Sequence, residues 1–484
     1  MSVQDSSSSS SNAQTSASQP NPTSPASPPP KRSRWAGWWQ SVLARWSRLR
    51  PPQQLVLGFT SYVVIGTLLL ALPWTQSQQA RDAGGVSMLD NLFNVTSAVS
   101  TTGLTTISVA DSYSWLGEFI ILTLFQLGGI GYMTVSSIIV LARGQQLSSE
   151  RTGILKSGFS LPRNFVIPLF LRHVIIFTVV IEAIGAALLW WRFSALGVDN
   201  ALWSAIFHSV SAFSTAGFSL NNNSLESFRD DWVVNLVIAA LCYLGAIGFI
   251  VLQDVWYSIK FREYMMTLTS KVILSMTLFV FVIGTLIFSF VEKSVMALPW
   301  DQRLLISAFQ VMSASSTAGF NSVPFGGLGA AALFLIVVAM VIGASPAGTG
   351  GGIKTTTVSA LLANLWAVIR GRDRVVWMGF EVPLPRVLTA VAAATLYLIM
   401  LAAGILMLAV SEPGKQFLSL FFEAASALGT VGLSMGITGE LSAPGKVIII
   451  LLMFVGRCGP LTLGLALLEP RRDAHGRLPD DLAV

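Results

Sequence analysis

The sequence predicts an all-α integral membrane protein with four membrane–pore–membrane repeats around one central pore. Only 11% of its 484 residues are charged, against about a quarter in a typical soluble domain. Its mean hydropathy is +0.66, and long apolar stretches alternate with short ones in a fixed order. Each long stretch exceeds the roughly 20 residues that a helix needs to cross the hydrocarbon layer.

The long stretches predict eight transmembrane helices, at 53–74, 114–142, 166–191, 232–257, 271–291, 328–368, 387–410 and 446–468. The sixth is interrupted by GASPAGTGGG, so we expect a broken helix there, surrounded by protein or water. The short stretches predict four re-entrant pore helices, at 89–100, 202–213, 304–315 and 417–428. The order long, short, long therefore occurs four times.

The domain organisation follows from this order. We predict repeat 1 at 51–145, repeat 2 at 146–260, repeat 3 at 261–370 and repeat 4 at 371–470. We expect residues 1–50 to form a disordered Ser/Pro-rich tail that ends in an amphipathic cytoplasmic helix, because Trp and Arg are mixed over 35–50. We predict that residues 471–484 form a cytoplasmic C-terminal tail.

Basic residues predict the orientation. They gather in the links between repeats, so the positive-inside rule explains the net charge of +6 without a nucleic-acid partner. We expect a multi-pass protein of the cell inner (plasma) membrane, in contact with lipid, with both termini cytoplasmic and the pore helices entering from outside. The link residues are Arg143, Arg151, Lys156, Arg163, Lys260, Arg262, Lys271, Arg370, Arg372, Arg374 and Arg386.

The chain is not expected to be an enzyme or to bind an organic cofactor. Cys242 and Cys458 both lie in apolar segments, three histidines are scattered, and no acid–base pair or metal cluster recurs at membrane depth. The segment GTGGGIKTTT resembles a phosphate-binding loop, but Ile353 precedes Lys354, so the required Gly-Lys step is missing.

A shared motif ends each pore helix. The copies are LFNVTSAVSTTGL (92–104), IFHSVSAFSTAGF (206–218), AFQVMSASSTAGF (308–320) and FFEAASALGTVGL (421–433). One such copy is typical of a helix-to-loop turn, whereas a fourfold repeat is a strong signal. Carbonyls from four loops can replace the hydration shell of a cation, and glycine lets the backbone turn them inward. The candidate ion-binding residues are Thr101, Thr102, Gly103, Thr215, Ala216, Gly217, Thr317, Ala318, Gly319, Thr430, Val431 and Gly432.

The pore helices also share one polar position, occupied by Asn94, His208, Gln310 and Glu423. We favour a hydrogen bond that braces the loop behind the pore. Direct ion contact by Glu423 is the alternative, because a carboxylate within the membrane is costly without a role.

A second motif recurs in the later helix of each pair, as LGGIG (127–131), LGAIG (244–248), IGASP (342–346) and VGRCG (455–459). The aligned Gly128, Gly245, Gly343 and Gly456 indicate close helix packing. Arg457 takes a position that is small in the other repeats. We interpret it as an electrostatic barrier facing the pore, with a structural ion pair as the alternative.

Over 53–468 the chain resembles the Trk/Ktr potassium transporter superfamily, which includes the plant HKT-type transporters. The resemblance implies that Gly103, Gly217, Gly319 and Gly432 are selectivity-filter glycines and that Arg457 is the pore arginine. It also implies an intramembrane gating loop from Gly343 to Gly352, which contains Gly348, Gly350 and Gly351.

The resemblance is greatest to the Ktr-type membrane subunit, because no extra N-terminal helix pair is present. It implies a homodimer with one pore per protomer on a cytosolic nucleotide-binding ring. The chain has no G-x-G-x-x-G fingerprint, so that ring would be a separate protein. The resemblance associates a serine in the first filter loop with sodium preference, so Gly103 favours potassium as the transported ion. Sodium-selective or sodium/potassium-coupled transport is the nearest alternative. An ion-coupled solute carrier is the alternative of another class, but its repeats would be inverted.

Overall fold

The computed structural model describes residues 49, 51–131, 167–261 and 263–467, and its regular structure is almost wholly helical. The exception is a short antiparallel hairpin, Val376–Trp377 with Phe380–Glu381. Several predictions lie outside the described residues: the tail helix at 35–50 apart from Leu49, the basic link at 143–163, and the C-terminal tail at 471–484.

Each repeat contains a first helix, a pore helix and a second helix, as predicted. The first helices are Pro51–Leu70, Ile167–Ala195, Leu268–Val291 and Leu384–Ser411. The pore helices are Met88–Val99, Ala201–Phe213, Trp300–Ser315 and Phe417–Gly429. The second helices begin as Trp115–Ile130, Trp232–Ala246, Ala330–Val341 and Ala443–Cys458, and the last three continue as Phe249–Lys260, Thr355–Ile369 and Pro460–Leu467. The all-α fold with four repeats is confirmed.

Short helical turns complete the links between these helices. They are the α-helical turns Gln78–Asp82, Val109–Ser112 and Lys293–Met296 and the 3₁₀ turns Pro73–Thr75, Glu226–Phe228, Phe325–Gly327 and Thr438–Glu440. Polar N-caps begin several of the longer helices, because a side-chain oxygen can accept one of the unpaired N–H groups of the first turn. Ser87 accepts from Asp90 at 3.1 Å, and Asp231 accepts from Val234 at 2.9 Å.

The prediction of continuous second helices in repeats 2 and 4 was wrong. The predicted spans 232–257 and 446–468 are bent by 99° and 91°. Gly248 and Gly459, the last residues of the second motif, have φ angles of 89° and 82°, which no helix interior allows. By length and composition, four described helices qualify as single spans, and the two bent pairs raise that number to six.

The broken helix predicted in repeat 3 is confirmed. The helix stops at Val341 and resumes at Thr355, and the motif position held by glycine in the other repeats is Pro346 here. We call the irregular stretch 342–354 the intramembrane loop. A parallel bridge between Ile342 and Ile353 joins its two ends.

The four repeats close into a ring. The second helix of each repeat packs against the pore helix of the next one, and the second helix of repeat 4 packs against the pore helix of repeat 1. At the same seam, Gln53 donates a hydrogen bond to the carbonyl of Ala466 at 3.3 Å. The phenylalanine of the pore-helix motif is buried in every repeat, as Phe93, Phe207, Phe309 and Phe422. Burial of these side chains holds each pore helix in the core.

Candidate functional site

Each pore helix ends in the same hydrogen-bonded turn. Thr101, Thr215, Thr317 and Thr430 have left-handed φ angles of 53°, 49°, 56° and 48°. The N–H of the following residue then returns to a carbonyl of the last helical turn, at 2.8–2.9 Å in all four repeats. This is a Schellman-type C-cap, which turns the chain sharply out of the helix. A non-glycine residue in this conformation is uncommon, so its occurrence in all four repeats shows that the four pore helices end with the same geometry.

The four filter loops, defined as Thr101–Gly103, Thr215–Gly217, Thr317–Gly319 and Thr430–Gly432, meet around one axis. Their glycines have φ angles of 94°, 69°, 79° and 95°. A Cβ atom on Gly103 would lie 2.5 Å from the carbonyl oxygen of Ala216, and one on Gly217 would lie 2.6 Å from that of Ala318. A Cβ atom on Gly319 would collide with the carbonyl of Val431, and one on Gly432 with that of Thr102.

This set of contacts is cyclic, because each glycine adjoins the loop of the next repeat and the fourth adjoins the first. The structure therefore brings all twelve predicted ion-binding residues into one ring. The backbone cannot carry a side chain at the glycine positions without displacing a carbonyl of the neighbouring loop.

The shared polar residues lie behind this ring, buried, and bond to the chain that leaves the filter. Gln310 Nε2 donates to Ser322 Oγ at 2.8 Å, and His208 Nε2 lies 2.9 Å from Ser219 Oγ. Asn94 Oδ1 accepts from the N–H of Thr106 at 3.3 Å.

Glu423 accepts the most hydrogen bonds of the four. Its carboxylate accepts from the hydroxyl of Ser434, from the hydroxyl of Thr438 at 2.9 Å and from the N–H of Met435 at 3.2 Å. All its oxygens thus bond to the exit segment of repeat 4. These contacts favour the bracing interpretation over direct ion contact.

The intramembrane loop lies against one side of the ring and touches the threonines of the filter loops. The Thr349 hydroxyl lies 3.0 Å from Thr215 Oγ1, and Thr101 Oγ1 donates to the Thr349 carbonyl at 3.3 Å. The N–H of Gly351 donates to Thr317 Oγ1 at 3.1 Å. A Cβ atom on Gly351 would collide with Thr430 Oγ1, so only glycine fits between the loop and repeat 4.

The predicted gate glycines all belong to this loop. Gly343 donates to the carbonyl of Ile353 at 3.1 Å, and Gly348 donates to that of Ser345 at 3.2 Å. Gly352 has a φ angle of 71°. The carbonyl of Gly350 accepts from Lys354 Nζ at 2.7 Å, so the lysine of the phosphate-loop-like segment bonds within the loop itself.

Arg457 joins the loop to the ring. Its Nη1 donates to Thr101 Oγ1 at 2.9 Å and to the carbonyl of Thr349, and its Nη2 donates to the carbonyl of Gly128. Among the described residues it forms no ion pair, so the structural alternative of an ion pair finds no partner there. The guanidinium is instead held by neutral oxygens of repeats 1 and 3.

The packing interpretation is confirmed for three of the four aligned glycines of the second motif. A Cβ atom on Gly128, Gly245 or Gly456 would collide with the last pore-helix carbonyls of its own repeat, those of Val99, Phe213 and Leu428. Gly343 differs, since its Cβ atom would collide with the carbonyl of Gly351 in the intramembrane loop.

One polar network near the filter was missed by the sequence analysis. Ser214, directly before the repeat-2 filter loop, donates to Gln126 Oε1 at 2.8 Å. Gln126 Nε2 in turn donates to Glu182 Oε2 at 3.0 Å. Glu182 is 9% exposed, and its Oε1 has no hydrogen-bond partner. A lone glutamate in the apolar stretch 166–191 was the available signal, because an ionisable residue within a membrane marks function by default.

Comparison with known proteins agrees with this architecture. The family model TrkH, described as a cation transport protein, matches residues 59–470. The Ktr system potassium uptake protein B of Bacillus subtilis is 34% identical over 441 residues, which cover 90% of this chain and 97% of that protein. The Ktr system potassium uptake protein B of Vibrio alginolyticus is 33% identical, with 87% and 91% covered. The potassium/sodium uptake protein NtpJ of Enterococcus hirae is also 33% identical, with 90% and 97% covered.

The fold has a solved counterpart. The crystal structure of the potassium transporter TrkH from Vibrio parahaemolyticus superposes with a TM-score of 0.66 at 21% identity, covering 85% of this chain and 83% of that one. The ring of four repeats, the family match over most of the chain and the Ktr relatives lead to the same assignment. The chain belongs to the TrkH family of cation transport proteins, within the Trk/Ktr group of multi-pass membrane proteins.

Proposed function

We propose that this chain forms the pore of a potassium uptake system and that backbone carbonyls of the four filter loops coordinate the ion. The closed ring carries the proposal, because each glycine is fixed against a carbonyl of the next loop. Four loops that hold each other in place can present carbonyls at a fixed spacing, which is what replacing a hydration shell requires. The four pore helices end at the ring, so their C-terminal dipoles add negative potential there.

Potassium is the preferred ion in this proposal. Two relatives at 33–34% identity are named potassium uptake proteins, and all four filter loops carry glycine. A second candidate is transport of both potassium and sodium, since another relative of similar identity is named a potassium/sodium uptake protein.

We further propose that the intramembrane loop and Arg457 form the gate, with Gly343, Gly348, Gly350, Gly351 and Gly352 as its mobile glycines. The loop touches the first threonine of each of the four filter loops, so an ion leaving the ring on that side has to pass it. A guanidinium at the same level repels an approaching cation. Steric and electrostatic barriers would then act together.

We also propose that a separate cytosolic nucleotide-binding subunit controls this gate and that the chain works as a homodimer in the plasma membrane, with both termini cytoplasmic. The name "Ktr system" of two relatives supports a system of several components. A soluble nucleotide-binding partner should co-purify and change flux, whereas a nucleotide response of the isolated chain would contradict the two-subunit proposal.

The test is uptake in a bacterial strain that lacks its own potassium uptake systems. The parent chain should restore growth at low potassium and take up rubidium, and a tenfold excess of sodium should compete weakly. Equal competition by sodium would favour the second candidate. Absence of both rubidium and sodium uptake, with the chain present in the membrane, would refute the proposed function.

A further inference from the structure

A cavity of about 420 Å³ lies on the side of the ring opposite the intramembrane loop. We call it the vestibule. All four filter glycines line it, so the vestibule opens directly onto the ring. Its remaining lining is mainly Ser, Asn, Thr and apolar residues from the segments that leave the filter. Glu226 is the single ionisable residue among those that line it.

Glu226 is held in place by neighbours from the next repeat. Asn321 Nδ2 donates to Glu226 Oε1 at 2.8 Å. The backbone on either side is fixed as well, because Leu225 donates to the carbonyl of Asn321 at 3.0 Å and the N–H of Asn321 donates to Ser224 Oγ at 3.2 Å. The carboxylate therefore has a defined position at the wall of the vestibule.

The charge of Glu226 is not neutralised by the described cations near it. Arg229 pairs with Asp230 at 3.3 Å, and Arg192 pairs with Asp231 at 2.6 Å. Among the residues that the structure describes, the side-chain partner of the Glu226 carboxylate is the neutral amide of Asn321. Burial raises the pKa of the Glu226 carboxyl, and the hydrogen bond from Asn321 opposes that rise.

A fixed negative charge in a narrow recess attracts cations more strongly than one on an open surface, because the protein walls exclude water and concentrate the field. The attraction does not depend on ion identity, and mobile salt weakens it over a Debye length of about 10 Å at 0.1 M. Such a charge changes how often a cation reaches the ring, whereas the ring itself selects among cations.

We propose that Glu226 is a cation-capture residue of the vestibule, which concentrates monovalent cations in front of the filter. The inference rests on the proposed function, since it assumes that ions enter the ring from this side. It adds a capture step that is separate from selection by the glycines and from release past the intramembrane loop.

The test compares the parent chain with Glu226→Gln in liposomes, using rubidium influx over a range of rubidium concentrations. Glutamine keeps an oxygen for Asn321 and removes only the charge. At low ionic strength, Glu226→Gln should raise the half-saturating rubidium concentration about two- to fivefold and leave the maximal rate and the rubidium-to-sodium preference unchanged. Choline chloride at about 0.5 M should make the half-saturating rubidium concentrations of the parent and of Glu226→Gln equal.

Asp82→Asn is the matched control. Asp82 is exposed to solvent and, like Glu226, bonds to a neutral amide, that of Gln78 at 2.9 Å, but it does not line the vestibule. This variant should match the parent at every salt concentration. An unchanged half-saturating concentration in Glu226→Gln, or a change that salt does not remove, would overturn the inference and leave Glu226 as a brace for Asn321. Lack of rubidium and sodium flux in the parent would instead refute the proposed function.

Discussion

Arg457 Nη1 lies 2.9 Å from the hydroxyl oxygen of Thr101, so a cation on the second helix of repeat 4 contacts the first residue of the repeat-1 filter loop. The same guanidinium donates to the carbonyl of Thr349 in the intramembrane loop. Filter and loop therefore share one positively charged partner. This arrangement links the two barriers that the proposed gate combines, and it separates two roles of the arginine, its charge and its hydrogen bonds.

Replacing Arg457 should raise flux. Arg457→Ala removes both the repulsive charge and the bonds that hold the loop, each charge-assisted bond contributing about 1.5–3 kcal/mol. We expect rubidium efflux from liposomes to rise at least about tenfold, with the rubidium-to-sodium preference unchanged. Arg457→Lys keeps the charge but cannot bridge several oxygens at once. If rubidium efflux also rises in Arg457→Lys, the barrier depends mainly on the hydrogen bonds of Arg457 to several oxygens. If efflux rises only in Arg457→Ala, the barrier depends mainly on the charge.

Arg303→Gln provides the control for the general effect of removing an arginine. Arg303 donates to the carbonyl of Ser289 at 2.7 Å and lies over the rings of Phe290 and Trp300, away from the loop. The rubidium efflux of Arg303→Gln should equal that of the parent. If folded Arg457→Ala conducts no faster than Arg303→Gln, the gate lies elsewhere.

Thr349 offers a milder test of the loop. Its hydroxyl lies 3.0 Å from Thr215 Oγ1 and donates to the carbonyl of Phe213 at 3.2 Å. Thr349→Val removes both contacts with little change in volume, whereas Thr349→Ser keeps the hydroxyl. Valine should loosen the loop and raise rubidium flux by up to about thirtyfold, from about 1 kcal/mol for each of the two lost bonds, and serine should not. Equal flux in both variants would argue against the loop as a barrier.

Gly103→Ser tests the filter. The φ angle of 94° strains any side chain there, and the added Cβ would lie 2.5 Å from the Ala216 carbonyl, which has to move. We expect potassium-over-sodium selectivity in competition uptake to fall about tenfold or more, while the protein still reaches the membrane. Gly197→Ser is the control, because Gly197 also has a positive φ, 70°, but nothing lies within 4 Å of its Cβ position. Equal selectivity in the two variants would contradict the filter assignment.

The sequence predicts the ring more fully than the network around it. Four copies of one motif indicate where the filter glycines lie, because repetition makes a weak turn signal strong. The bends at Gly248 and Gly459 were missed, since a glycine in an apolar run is equally compatible with close packing and with a left-handed turn. The partners of Arg457 come from repeats 1 and 3, and no local pattern indicates contacts so distant along the chain.

The contact between Gln126 and Glu182 also joins residues that are distant along the chain. Gln126 bridges the Ser214 hydroxyl, at 2.8 Å, and the Glu182 carboxylate, at 3.0 Å, so residues of repeats 1 and 2 fix the start of the repeat-2 filter loop. Glu182→Leu removes the acceptor that orients the Gln126 amide, whereas Glu182→Gln keeps an oxygen for it. Leucine should therefore lower potassium-over-sodium selectivity about three- to tenfold, the equivalent of roughly 1 kcal/mol, and glutamine should retain most of it.

A double-mutant cycle separates this path from a general packing defect. If Glu182 acts on the filter through Gln126 and Ser214, the selectivity loss of Glu182→Leu combined with Ser214→Ala should be smaller than the sum of the two single losses, because both break one chain of hydrogen bonds. Additive losses would mean that the carboxylate and the serine act independently. A glutamine variant as unselective as the leucine variant would mean that the charge of Glu182, rather than its hydrogen bond to Gln126, sets the filter geometry.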